Sequence, residues 1–375
     1  MQDIDGHLRG GIPKRDLDAL GNYWHVMPSL RTALFESVGR TGYAKLKLPI
    51  TSLKPAIFGH AEFTAFNEAA TAILTKWKRA NSPLLRGFAQ GDRPKALIGA
   101  LSEELLDRFG AVPLVSAYDV YQHLMDYWAE TMQDDCYLIA DAGWKAGAQP
   151  REIHQVKNKE GKLAWPEAHD YKKGRRRYKS DLIPATILVA RYFVAERDAI
   201  QRFDDQLTTV DQQLDEMMEE HSGEDGLLVE VIEGEGEKQK ITAKAVKTRL
   251  AEIGRDPDYT DERKALRDYA KLIDQQMAVK AKLKGALEDL EAKLDAKYPK
   301  LSQDEIITLV VDDKWLSTLT NVVQGELDRV SQTITSRIRQ LSERYSRTLS
   351  DLEGEVAALG TKVQAHFLEM GLINA

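Results

Sequence analysis

Apolar residues recur at steps of three and four, without a break, at Leu327, Val330, Ile334, Ile338, Leu341, Tyr345, Leu349, Leu352, Val356, Leu359, Val363 and Phe367. A strand cannot carry this stripe, because its side chains change face at every residue. The stripe predicts one long amphipathic helix, or two in tandem, and no proline interrupts it. A helix with one apolar face needs a partner. Two candidates are open: the long helix predicted over residues 260–298, giving an intramolecular antiparallel pair, or a helix of another chain.

The rest of the chain is also mostly helical in pattern. Phe63, Phe66, Ala70, Ile73 and Trp77 share one face of a predicted helix. A second runs from Pro94, suited to a first turn, to Phe109, with Gly110 after it. A third starts at the capping-box-like Ser116-Ala117-Tyr118-Asp119 and turns Tyr121, Leu124, Trp128 and Met132 to one side. Helical pattern returns from Ile183 to about Met218, and Pro299 ends the Ala-, Lys- and Glu-rich helix that begins near Thr260. The fold class expected is mainly α: a helical domain, a small α+β insertion and a long, coiled-coil-like helical tail. The divisions expected are a connecting arm over 1–55 and a helical domain over 56–135. A mixed strand and loop insertion over 136–181 carries the basic cluster. A helix plus acidic loop follows over 182–259, and long helices for subunit assembly over 260–375. The arm is expected to hold one helix near residues 14–20 and another near 29–35.

Composition narrows the function classes. A net charge of −7 argues against a wholly basic DNA-coating protein but leaves room for one local basic surface. Cys136 is the only cysteine, so neither an internal disulfide nor a cysteine-rich zinc site can form, which fits a cytoplasmic setting. No apolar run approaches membrane-spanning length, and the acidic N-terminus is unlike a secretory signal.

Candidate chemistry is sparse. The eight histidines are scattered, with no two at metal-ligand spacing, and no Ser or Cys sits in a nucleophile elbow. Asp312-Asp313-Lys314, with Asp256 and Asp258 upstream, has the residue types of a Mg²⁺ nuclease. Its position after Val310-Val311 and before Trp315 reads better as a cap or turn before a helix. Residues 211–237 hold eleven Asp or Glu and no Lys or Arg, a solvated acidic loop with at most a hairpin, or a dock for a basic partner. Within it, 219–226 has the wrong spacing for a calcium loop. Lys172, Lys173, Arg175, Arg176, Arg177 and Lys179 place six cations in eight residues beside Tyr171 and Tyr178. That pattern suits phosphate contacts, though it also suits a solvated loop or an internal answer to the acidic segment.

Several words, in order along nearly the whole chain, resemble the C-terminal part of the methyltransferase (M) subunit of type I restriction–modification systems. They include Gly10-Gly11-Ile12-Pro13-Lys14-Arg15-Asp16, Asn22-Tyr23-Trp24, Leu101-Ser102-Glu103-Glu104-Leu105-Leu106 and Met125-Asp126-Tyr127-Trp128. Further along come Met132-Gln133-Asp134-Asp135, Asp181-Leu182-Ile183-Pro184, Val189-Ala190-Arg191-Tyr192-Phe193 and Val310-Val311-Asp312-Asp313-Lys314-Trp315. The resemblance implies a complete enzyme that methylates adenine N6 from S-adenosylmethionine, a specificity (S) subunit that reads the DNA, and a restriction (R) subunit that joins to cut. It also implies that C-terminal helices of M pack on helices of S.

The cofactor site is what this chain lacks. A Gly-rich turn after a strand is needed to approach the methyl donor, and Gly234-Glu235-Gly236 lies in an acidic stretch that would repel it. The Pro-Pro tetrapeptide that holds a flipped adenine is missing, since no two prolines are adjacent. The expectation is therefore a region following an absent catalytic domain, with no catalytic or cofactor-binding residue of its own. Its expected partners are the S subunit, the R subunit and DNA. Leu341, Tyr345, Leu352, Val356, Leu359, Val363 and Phe367 would dock S, and the basic cluster would touch DNA phosphates. The alternatives are one half of a split methyltransferase completed by a separate catalytic chain, or an inactive remnant or decoy. A free-standing nuclease ranks last.

Overall fold

The structure, a computed structural model, describes residues 11–38, 42–157, 159, 161–223, 226–234, 240–346 and 349–370. The chain is mainly α, with small sheets only. Among the described residues, no helix is long and apolar enough to cross a membrane. The chain divides into two compact units, Met1–Gly143 with Val311–Ala375, and Trp144–Val310.

The first unit opens with a three-stranded antiparallel sheet that the sequence did not announce. Strands β1 (Ile12–Pro13), β2 (Phe35–Ser37) and β3 (Tyr43–Leu46) pair in the order β1-β3-β2. Helices α1 (Lys14–Asp18), α2 (Gly21–Val26) and α3 (Pro28–Leu34) lie between β1 and β2. The arm is thus three short helices on a sheet, not two helices in a linker. Glu62 ties it down, accepting from the backbone N–H groups of Ser29 and Leu30 at 3.0 and 2.9 Å, at the start of α3. A carboxylate there meets unpaired N–H groups and the positive end of the helix dipole.

Helices α4 (Leu53–Phe58), α5 (Ala61–Gly87), α6 (Pro94–Phe109) and α7 (Ala117–Tyr127) follow. Most of the predicted face residues are buried: Phe63, Phe66, Ala70 and Trp77 on α5, and Leu124, Trp128 and Met132 on and just after α7, whereas Ile73 and Tyr121 are half-buried. Trp77 is fully buried, and its indole N–H donates to the Leu101 carbonyl at 3.3 Å. The Ser116 hydroxyl caps α7 by accepting from the Asp119 N–H at 3.2 Å. A π-helical turn, Trp128–Met132, runs straight into α8 (Gln133–Gly147).

Helix α8 corrects the expected start of the mixed insertion. Residues 136–142 and 144–147 are helical, and Cys136 and Ile139 are buried on the same period as Met132. The word Tyr137-Leu138-Ile139 mimics a strand only because it is short and apolar; Tyr137 is in fact exposed. The helix is broken at Gly143, whose φ of 75° and ψ of 167° favour a residue without Cβ.

The chain re-enters the first unit through α14 (Ser317–Arg344), which packs on α4, α5 and α7 and buries Leu319, Val323, Leu327, Val330, Ile334 and Ile338. Helix α15 (Leu349–Glu369) follows it. The stripe is therefore carried by two helices in tandem, and its described partners on α14 are helices of the first unit, the long α5 among them.

In the second unit, α9 (Ala185–Tyr192) leads into α10 (Val194–Glu220), which runs antiparallel to α12 (Thr260–Lys297). The direction follows from the pairs Glu196–Lys293 at 2.5 Å and Asp211–Gln276 at 2.5 Å. So the 260–298 helix does have an antiparallel partner, and it is α10. The far end of this pair is closed by α11 (Ala243–Ile253) and the hairpin of β9 (Ile232–Glu233) and β10 (Lys240–Ile241). Leu228 and Val231, inside the segment expected to be a solvated acidic loop, are buried here with Val210, Leu214, Val246, Leu266 and Tyr269. That expectation is corrected: the described acids of this segment lie at the surface beside a small core. Residues 224, 225 and 235–239 lie outside the described residues.

Helix α13 (Gln303–Ile307) starts with a capping box. The Glu305 N–H donates to the Ser302 hydroxyl at 3.2 Å, and the Ser302 N–H donates to Glu305 Oε2 at 2.8 Å. Lys297 Nζ and the Tyr192 hydroxyl both donate to Glu305 Oε1, at 2.7 and 3.0 Å. The Lys297 hydrogen bond above all, then the backbone one, holds this carboxyl at about 2, below its ordinary 4.5. A depressed folded-state value contributes stability that is complete above the unfolded value and lost as pH falls through the folded one. The second unit is therefore expected to weaken between pH 4.5 and about 2. Glu305→Gln should flatten that limb in urea unfolding followed against pH.

Candidate nucleic-acid interface and docking helix

The basic cluster forms a hairpin. Strands β7 (Tyr171–Lys173) and β8 (Arg176–Lys179) pair antiparallel, and β8 also pairs with β4 (Arg151–Ile153) in the order β4-β8-β7. Lys173 faces Arg176 across a two-residue loop, Gly174-Arg175. Gly174 has φ of 63°, and Arg175 has no positive φ. Glycine at the first position alone is the signature of a type II′ turn, whose twist matches the flanking strands.

Strand alternation then divides five of the six cations, Arg175 lying in the turn. Tyr171, Lys173, Arg176 and Tyr178 share one face; Lys172, Arg177 and Lys179 share the other. On the first face Tyr171 stacks on Tyr178 at 5.3 Å and on Tyr298 at 5.6 Å, and the Tyr298 hydroxyl donates to the Ile183 carbonyl at 2.8 Å. Lys173 pairs with Asp295 at 2.9 Å and Arg176 with Glu152 at 3.6 Å. Beside this face, a groove of about 660 Å³ is walled partly by Glu288, Glu291 and Asp295, which disfavours a phosphate there.

On the second face the Arg177 guanidinium lies 4.0 Å from the Trp165 ring centre, and Lys179 pairs with Glu167 at 2.6 Å. Glu167 also takes Arg151 at 2.6 Å, and its carboxyl is pushed down by the Lys179 and Arg151 hydrogen bonds. Burial first, then the nearby Arg177 and Lys172, push the His169 imidazole below its ordinary value. Lys172 and Arg175 are exposed and make no ion pair among the described residues. The cluster is thus partly engaged within its own unit: Lys173, Arg176 and Lys179 answer carboxylates, Arg177 lies on Trp165, and Lys172 and Arg175 face outward. The acidic residues they answer are Glu152, Glu167 and Asp295, not the 211–237 segment.

A second ribbon, among the short strands expected over 136–181, lies beside the hairpin. Strands β5 (Val156–Lys157) and β6 (Leu163–Ala164) pair antiparallel, Val156 with Ala164 and Lys157 with Leu163. The available signal was the turn residue Gly161 between Val156 and Leu163-Ala164.

The docking stripe also divides. Leu341 and Tyr345 are each 1% exposed, and the Tyr345 hydroxyl donates to the Asp16 carboxylate. Their expected place at a partner interface is corrected, because the first unit itself covers them. Leu352 is half-buried, whereas Val356, Leu359, Val363 and Phe367 are exposed by 69, 59, 49 and 42%. All four lie on α15, at steps of three and four.

Asp312-Asp313-Lys314 is neither a cap nor a turn. It sits inside a continuous π-helical stretch, Thr308–Leu316. Lys314 is buried, 2.8 and 2.7 Å from the two Asp135 oxygens, and the Trp315 indole N–H donates to Asp135 Oδ2 at 2.7 Å. The wider π turn narrows the angle between consecutive side chains, which lets neighbours reach one carboxylate. Asp312 pairs with Arg86. Asp256 accepts from the Asp258 N–H at 3.1 Å and caps a short turn. These carboxylates thus have packing and capping partners. Among the described residues no three His, Cys, Asp or Glu are grouped to hold a metal ion.

Comparison of the chain with protein-family models, curated proteins and solved structures finds no match.

Proposed function

We propose that this chain is the assembly and DNA-clamping region of a type I restriction–modification adenine-N6 methyltransferase subunit, acting in the cytoplasm. The observation that carries the reading is α15, a helix whose apolar side chains stand in solvent beyond the point where the first unit ends its own packing. Such a face gains most when a second amphipathic helix covers it. The ordered words that resemble the M subunit favour a helix of the S subunit in that role. The outward cations of the β7–β8 hairpin supply contacts to DNA phosphates that position the duplex without reading its sequence. In this reading the methyl donor binds elsewhere in the complete enzyme, and the R subunit joins the assembled complex.

Co-expression with an S subunit from the same genome provides the test. The wild-type chain should co-purify with it, and the double variant Leu352→Asp, Leu359→Asp should not. Undiminished association of the double variant would remove α15 from the account.

A further inference from the structure

Residues 151–179 contain ten Lys or Arg and four Asp or Glu, in a chain whose net charge is −7. The β7–β8 hairpin accounts for only six of those ten cations. Lys157, Lys159 and Lys162 belong to the β5–β6 ribbon and its connection, and all three are exposed. The ribbon's base is held firmly. Trp165, directly after β6, lies under Arg177, and Glu167 bridges Arg151 and Lys179 at 2.6 Å each. Its body is not covered. Val156 is 49% and Leu163 63% exposed, and the pairing register puts them on opposite faces.

A two-stranded ribbon with apolar groups on both faces and lysines at its end fits a cleft with two walls and an anionic rim. The major groove of duplex DNA, about 12 Å wide, admits a two-stranded β-ribbon, whereas the minor groove, about 6 Å wide, does not without deformation. Binding to a single strand would call for open aromatic faces on which bases stack. Trp165, the aromatic nearest the ribbon, has a face occupied by the Arg177 guanidinium. We propose that the β5–β6 ribbon enters the major groove of duplex DNA, with Lys157, Lys159 and Lys162 on the flanking phosphates and Val156 and Leu163 against thymine methyls. This rests on the reading of the β7–β8 hairpin as a DNA contact and adds to it a second arm and a groove.

The test is fluorescence anisotropy of the full chain with a labelled duplex of mixed sequence, at several salt concentrations. Lys157→Ala, Lys159→Ala, Lys162→Ala together should weaken binding at least tenfold at low salt and lower the slope of log affinity against log salt by about 2–3, since each neutralised phosphate contributes about 0.9. Replacing thymine by uracil removes the major-groove methyls and leaves the minor groove unchanged. It should weaken the wild type several-fold, and Val156→Ser, Leu163→Ser should bind both duplexes alike. These positions are exposed, so the circular dichroism spectrum should not change. Lys172→Ala, Arg175→Ala reports on the other hairpin. If that variant weakens binding while both ribbon variants keep wild-type affinity and salt slope, the ribbon proposal falls and the hairpin reading stands. A wild-type chain that ignores duplex DNA, or that binds only vesicles of anionic lipid, removes both.

Discussion

Asp135→Leu is expected to destabilise the first unit by about 3–5 kcal/mol, the usual cost of breaking a buried ion pair from one side. The side chains of Lys314 and Asp135 are 9 and 5% exposed, so water cannot replace the missing carboxylate. Burial pushes the Asp135 carboxyl above its ordinary range, while Lys314 and the hydrogen bond from Trp315 pull it back. Substitution by leucine leaves an ammonium in an apolar site and takes from the Trp315 indole its 2.7 Å acceptor. The double variant Asp135→Leu, Lys314→Met should recover much of the loss, because an apolar pair of similar volume is often neutral in place of a buried ion pair. What it cannot recover is the indole N–H, at about 1–3 kcal/mol. Urea unfolding of the three proteins measures both steps. A loss below about 1 kcal/mol for Asp135→Leu would show instead a pair that is effectively solvated, as exposed pairs are.

That pair joins residues 179 apart in sequence, and nothing local announces it. Local signals did better. Pro94 and Gly110 marked the two ends of α6, and Pro299 the end of α12. The period of three and four placed Phe63, Phe66 and Trp77 inward, because a one-sided helix has one way to bury its face. The same reasoning failed where a helix was short of signal. Residues 136–147 continue the burial period of Met132, but a three-residue apolar word looked like a strand. It failed again at Leu228 and Val231, where a dense run of acids hid two core positions.

The basic cluster was legible as composition and not as geometry. Gly174-Arg175 between Tyr171-Lys172-Lys173 and Arg176-Arg177-Tyr178-Lys179 is a glycine-first hairpin turn, and recognising it would have predicted the division into two faces. Which face meets carboxylates depends on Asp295, Glu152 and Glu167, and no local pattern links these to the cluster.

The C-terminal stripe has the same period on α14 and α15, so sequence alone treats Leu341 and Leu359 as equals. The structure separates them, and truncation should reveal the difference. Leu341→Ala removes a side chain that is 1% exposed within the first unit, and should cost about 2–5 kcal/mol, the range for emptying a packed leucine site. Leu359→Ala removes one that is 59% exposed, and should leave unfolding within about 0.5 kcal/mol of wild type, as surface changes do. Tyr345→Phe keeps the buried ring and removes only the hydroxyl that donates to Asp16, so it should fall between them, at about 1–2 kcal/mol. Binding should rank the two leucines in reverse. Burying Leu359 in an interface gains roughly 1.5–3 kcal/mol before association costs. Its loss should therefore weaken a helical partner about tenfold or more, whereas Leu341→Ala should act on the partner only through the unfolded fraction. Thermal or urea unfolding, run beside partner titration on the same preparations, separates the two effects. Equal destabilisation by Leu341→Ala and Leu359→Ala would mean that α15 is packed in solution, and the stripe would then be core along its whole length.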